Sequence, residues 1–202
     1  MKIATIANLE DRTSEDERTG AMRSIQAADL SLPEAVLREL WSPMYLERLA
    51  RTYWRFLSRV TLGLVRVRYT EHERSIVLLL PALKLITFAA PEYELDPLRG
   101  LVRWRIAHGL LVARRGRDGG GYLQIEVRRP ANEDPARPPP ACLHVEIEVA
   151  GFYPAIASRL GRRIYGATQS KIHVIITHRF LRSLARLDLA ESQVGRFAGN
   201  GS

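Results

Sequence analysis

A chain of 202 residues, 46% apolar and 26% charged, carries enough apolar material for one core of ordinary domain size. Its one cysteine, Cys142, excludes an intramolecular disulfide framework and suits a reducing cytoplasm. The formal charge of +8 would suit phosphates or anionic lipid, but only Lys2, Lys84 and Lys171 among the 30 basic residues are lysine, a bias that GC-rich coding also produces.

The opening MKIATIANLED turns acidic before an apolar run can form, so no signal peptide is expected. The longest apolar run, residues 76–90, is interrupted by Pro81 and Lys84 and falls short of the ~20 residues that span a bilayer. A soluble, cytoplasmic protein is the expectation. Residues 1–30 are charged and thinly apolar and read as a mobile segment, with 1–7 as a candidate edge strand. A single α+β domain is expected over 31–189 and a flexible tail over 190–202.

SLPE at 31–34 has the form of a capping box with a proline near the first helical position, and predicts a short helix to about Trp41. Ser42-Pro43 repeats the start signal for a second helix to about Ser58. Its apolar face is Tyr45, Leu49, Tyr53 and Phe56 at helical spacing. From Arg59 the period becomes two. Val65, Val67 and Tyr69 oppose Arg66 and Arg68, and Val102, Trp104 and Ile106 oppose Arg103 and Arg105. Leu123, Ile125 and Val127 oppose Gln124, Glu126 and Arg128, and Leu143, Val145, Ile147 and Val149 oppose His144, Glu146 and Glu148. The short turns between these runs predict antiparallel hairpins. Residues 76–80 and 83–90 are apolar on both faces and call for cover, which the helices can supply. Residues 131–140, ANEDPARPPP, read as an exposed loop.

After 149 the chain is expected to form a helix over 154–165 and a longer one over 168–187, with Ile172, Ile176, Phe180, Leu184 and Leu187 inward. The β-branched IHVIIT at 172–177 is compatible with a strand, but its apolar spacing runs on into FLRSLARL, which favours helix. The fold class read from this order is α+β: a curved antiparallel sheet of about seven strands with an N-terminal helix pair and a long C-terminal helix. Element order alone over 31–187 resembles the START-like helix-grip fold. That resemblance implies a sheet wrapped around the last helix with an apolar cavity between them. The composition also looks like that of bacterial proteins from GC-rich genomes.

The arginines around GRDGGG pose the first functional question. Arg103, Arg105 and Arg128 share a face with Glu126, Glu146 and Glu148, which predicts cross-strand neutralisation rather than an anion grip. Arg114, Arg115 and Arg117 bunch beside the glycines, but GRDGGG is neither a Walker A nor a dinucleotide fingerprint. Arg179, Arg182 and Arg186 form an i, i+3, i+7 stripe near Arg159 and Arg162. These five are the candidate surface for nucleic acid or an anionic membrane. No cofactor or metal site is expected, since His144, Glu146 and Glu148 lie too far apart along one strand to converge alone.

The leading expectation is a small, largely apolar ligand lined by Tyr53, Trp54, Trp104, Tyr122, Phe152, Tyr153, His173 and Thr177 in the cavity between sheet and C-terminal helix. A cyclase- or hydrolase-like enzyme using that cavity, with Glu92, His173 or His178 as acid or base, is the catalytic alternative. No GxSxG or SxxK motif supplies a nucleophile.

Overall fold

The chain begins as a long hairpin. In this computed structural model, which describes residues 5–70, 72–79, 82–117, 120–130, 142–153, 180 and 190, β1 runs over Thr5–Glu15 and β2 over Met22–Ser31. Their turn is tied by the Asp16 carboxylate, which accepts from the backbone N–H groups of Arg18 and Thr19 at 2.9 and 2.8 Å. Residues 5–30, which fall within the segment expected to be mobile, form paired strand and turn. The pattern misled because β1 is exposed almost throughout and β2 buries alanines, Ala27 and Ala28, beside Gln26. Neither strand sets large apolar residues at every second position, the spacing that makes alternation visible.

Two helices follow, α1 over Glu34–Leu40 and α2 over Pro43–Val60. Ser31 ends β2 opposite Cys142 instead of capping α1, whose N-cap is Pro33 with no side-chain bond. Ser42 does cap α2, its hydroxyl accepting from Tyr45 N–H at 3.3 Å. Tyr45, Leu49, Tyr53 and Phe56 are all buried, and so are Leu46, Ala50 and Trp54. α2 thus packs over a broad arc, not a narrow stripe.

The remaining strands are β3 (Val65–Tyr69), β4 (Glu73–Leu78), β5 (Lys84–Ala89), β6 (Glu92–Leu95), β7 (Arg99–His108), β8 (Tyr122–Arg128) and β9 (Cys142–Phe152). All pairings are antiparallel in the order β1-β2-β9-β8-β7-β5-β4-β3. β5 and β6 both pair with β7, β5 at His108 and Ile106 and β6 from Arg103 back to Gly100. Between them stands Pro91, which has no N–H to give a ladder.

The expected fold class is overturned by this sheet. It has nine strands instead of about seven, the helices sit between β2 and β3 and so do not open the fold, and α2 is the single long helix among the described residues. This is not the expected helix-grip order, because a strand hairpin precedes the helix pair; the expected long C-terminal helix lies outside the described residues apart from Phe180. Of residues 154–202, where the terminal helices and tail were expected, only Phe180 and Ala190 are described. Phe180 is fully buried against Tyr53, and Ala190 bonds to α2 through Arg48 and Thr52. The loop expected at 131–140 lies outside the described residues. Among those described, no helix is long and apolar enough to cross a membrane.

Candidate functional site

The two faces of the sheet divide the chemistry. On the helix-covered face, Val102, Trp104 and Ile106 of β7, Leu123, Ile125 and Val127 of β8 and Leu143, Val145 and Ile147 of β9 are buried, as alternation predicts. Above them Trp54 meets Trp104 edge-on with ring centroids 5.2 Å apart, Tyr53 at 5.3 Å and Phe88 at 5.6 Å; Tyr53 in turn meets Phe180 at 5.8 Å. These are packing distances for aromatic pairs. Of the predicted lining, Tyr53, Trp54 and Trp104 come together, and they fill this space with one another.

The other predicted residues lie apart. Phe152 is buried at the end of β9. Tyr122 is on the opposite face, its hydroxyl donating to Glu148 at 3.0 Å under the Arg103 guanidinium, which is 5.1 Å from the ring. Tyr153 follows β9 with Arg115 at 5.0 Å over its ring. His173, Thr177, Arg159, Arg162, Arg179, Arg182 and Arg186 lie outside the described residues.

An open apolar cleft appears at the start of α2. Its walls are Leu30, Leu32, Leu46, Leu49, Val127 and Val145, with Trp41, Ser42 and Leu95 also lining it. The space is about 440 Å³ when the part open to solvent is included, and the cavity volume is about 20 Å³. At the mouth, the Trp41 indole N–H donates to the Asp96 carbonyl at 2.8 Å, and the Arg129 guanidinium lies 5.5 Å from its ring and 3.6 Å from Glu34. Tyr45 lines the cleft too, and burial pushes its phenol above the ordinary range. Gly100 abuts the lining. A Cβ there would stand 2.9 Å from Val127 Cγ2, 3.0 Å from Leu46 Cδ2 and 3.2 Å from Leu95 Cδ1. Its sequence signal was a glycine inside the strand pattern RGLV, which marks close approach of a neighbour.

Beside α2 lies a polar group: the Glu47–Arg51 ion pair at 3.7 Å, with Arg51 and Arg74 at 5.4 and 5.3 Å from the Tyr69 ring. Burial raises the phenols of Tyr69 and Tyr93 to about 12, so both stay protonated at neutral pH.

On the second sheet face the expected cross-strand pairing forms in part: Arg128 pairs with Glu126, but Arg105 pairs with Glu92, Arg103 bonds the neutral Gln124, and Glu146 stands opposite Glu126. Arg99 reaches Glu126 at 2.8 Å, Arg128 bonds the same carboxylate, Arg103 donates to Gln124 at 2.9 and 2.7 Å, and Arg23 reaches Glu148 at 2.7 Å. Glu92, the candidate acid or base, accepts from Arg105 at 2.7 Å on the surface, and His144 is hydrogen-bonded to Asp29 at 2.8 Å. Among the described residues no cluster of three or more His, Cys, Asp or Glu could hold a metal ion.

Glu126 shows how this face is held. It is 3% exposed and stands directly opposite Glu146. Burial pushes its carboxyl up, but hydrogen bonds and charge from Arg99 and Arg128 outweigh burial and hold it below the ordinary value of 4.5. A depressed folded-state value contributes stability above the unfolded-state value and loses it as pH falls through the folded one. Thermal melts are therefore expected to be flat near neutrality and to drop progressively below pH 4.5. Glu126→Gln is expected to cost about 1–2 kcal/mol at pH 7, because both guanidiniums are more than a third exposed and screened. It should also flatten the acid slope, leaving the part due to Asp29, whose carboxyl is held low by hydrogen bonds from Asn8 and His144. An unchanged slope in the variant would show that Glu126 is not held this way.

No family model and no curated protein matches this sequence. Among solved structures, CalU16 from Micromonospora echinospora is similar over 73% of this chain and 71% of that one, at 14% identity and a TM-score of 0.29, a likeness too low to carry a fold or a function.

Proposed function

We propose that the protein binds a small, largely apolar molecule in the cleft between α2 and the sheet, at the helix's first two turns. The observation that supports this reading is an apolar cleft open to solvent and walled by leucines and valines from α2, β2, β8 and β9. With a cavity volume of about 20 Å³ the cleft is shallow, so a ligand would lie along its apolar walls with part of its surface left in solvent. Burial of apolar surface supplies the affinity, and the polar groups at the mouth, Arg129 and the Trp41–Asp96 contact, orient any polar end the ligand carries. The site lies under the start of α2 and the Trp41–Ser42 junction that precedes it, so it does not depend on a cavity at the C-terminal end of the chain.

Tryptophan fluorescence during titration with dodecanol tests it, since Trp41 stands at the cleft. Saturable binding is expected in the parent protein. Gly100→Ala drives Leu46, Leu95 and Val127 into the cleft and is expected to weaken binding roughly tenfold, the loss of about one buried methyl to methylene pair. Melting curves recorded in parallel separate a filled cleft from a damaged fold. Absence of saturable binding, or equal binding by a folded Gly100→Ala protein, would sink the reading.

A further inference from the structure

The end of the sheet away from the cleft exposes leucines that the core does not use. Leu62 and Leu64 lie in the turn between α2 and β3, Leu79 and Leu83 flank the turn between β4 and β5, and Leu110 follows β7. They are 89%, 50%, 60%, 38% and 59% exposed in that order. Backbone bonds bring the three turns side by side: Leu79 N–H donates to the Leu64 carbonyl at 2.9 Å, Leu78 N–H to Leu83 at 3.0 Å and Leu110 N–H to Lys84 at 3.0 Å. One apolar rim results, built from separate protruding turns.

Two of these leucines are held in an unfavourable backbone conformation. Leu62 has φ 52° and Leu79 has φ 55°, the left-handed region where a branched side chain is strained and glycine is the ordinary choice. Neither side chain is buried to compensate. Strain kept at exposed positions points to a use outside the folding of the chain.

Charge selects the partner. The turn between α2 and β3, within residues 57–66, contains no Asp or Glu and carries Arg59 and Arg66, while Lys84 at the neighbouring turn is paired with Glu73 at 3.4 Å. Arg59 lies over Phe56 and Arg66 donates to the Gly63 carbonyl, and among the described residues neither has a carboxylate partner. On the second sheet face, by contrast, Arg23, Arg99, Arg105 and Arg128 are all paired. A second copy of this chain would set unneutralised arginines against arginines. A surface with an apolar interior and an anionic skin accommodates both the leucines and the guanidiniums. We propose that this rim docks on anionic lipid bilayers, with Leu62, Leu64, Leu79 and Leu110 entering the headgroup region and Arg59 and Arg66 meeting lipid phosphates.

The test is co-sedimentation of the full chain with vesicles of phosphatidylcholine alone and of phosphatidylcholine with phosphatidylglycerol in equal parts. Binding is expected to the mixed vesicles, weakly or not at all to the neutral ones, and to fall with added sodium chloride. The double variant Leu62→Gly/Leu79→Gly relieves the backbone strain, so it is expected to melt no lower than the parent while partitioning at least roughly tenfold more weakly. Arg59→Gln/Arg66→Gln should lose about 25-fold on mixed vesicles only, at about fivefold per cation. The proposal is overturned if the parent stays in the supernatant with mixed vesicles, or if the folded leucine variant binds as well as the parent, which would place binding elsewhere on the chain. It is also overturned if sedimentation velocity shows a dimer that the leucine variant abolishes, since the rim would then be a self-association surface.

Discussion

Trp104→Ala is expected to lower the free energy of unfolding by about 3–5 kcal/mol, the largest loss for any single side chain here. Trp104 is 1% exposed and meets Trp54 edge-on, so removing the indole leaves a hole that α2 closes only by abandoning its contacts with β7. Denaturant unfolding should show the midpoint falling at constant slope, because the surface exposed on unfolding hardly changes. Trp104→Phe keeps a ring and should lose less. A loss under about 1 kcal/mol for the alanine variant would contradict a packed cluster, and would mean that these rings border adaptable space.

Gly109→Ala is expected to cost about 3 kcal/mol or more, although it adds only a methyl group. Gly109 has φ 149°, and a Cβ there would fall 2.3 Å from the Leu85 carbonyl oxygen and 2.7 Å from Ile86 Cα. Both obstacles are backbone, so neither can swing away as a side-chain tip can. The seam at risk is short: β5 meets β7 only at Thr87↔His108 and Phe88↔Ile106, extended by the bonds from Leu110 and Leu111 to Lys84 and Leu85. Hydrogen exchange at the Leu110 and Leu111 amides reads it directly, with protection expected to collapse alongside a lower melting temperature. Gly120→Ala is the control. Gly120 has φ 79° but nothing within 4 Å, so its penalty is limited to the backbone preference of about 1 kcal/mol. Equal losses at the two positions would show that close approach of the strands is not what Gly109 provides.

Periodicity disclosed the central strands and α2, because each sets large apolar residues against charged ones. β7, β8 and β9 bury the faces that alternation assigns to the core. It did not disclose β1 or β2, where exposure and alanine burial erase the contrast. Nor did it disclose β6, whose four residues are all exposed. The capping box at Ser31 failed for a similar reason: its side chain spacing fits a helix start, but the backbone there is engaged by Cys142 across the ladder. Those omissions changed the architecture, since a hairpin placed before the helices turns the expected helix-first order into a sheet in which β9 pairs with β2 on one side and β8 on the other. For the candidate site, aromatic content was the wrong guide. Trp54 and Trp104 pack on each other, while the cleft is walled by aliphatic residues from four elements that are remote in sequence. Gly100 carried the local clue, yet what it approaches is fixed only by the register of β7 on β8 and β6.

Among the described residues the two ends of the strand order, β1 and β3, have an unpaired edge, and each invites a stranger's backbone to continue the ladder. β1, one margin, carries Glu10, Asp11, Arg12 and Glu15 and is dislocated between Ala7 and Glu10, where Asn8 turns to φ 50° and its amide donates to Asp29 at 2.7 Å. β3, the other, points Arg66 and Arg68 into solvent. Charge and a kink thus make both borders poor templates, which lets a chain with this much extended structure be concentrated without growing into fibres.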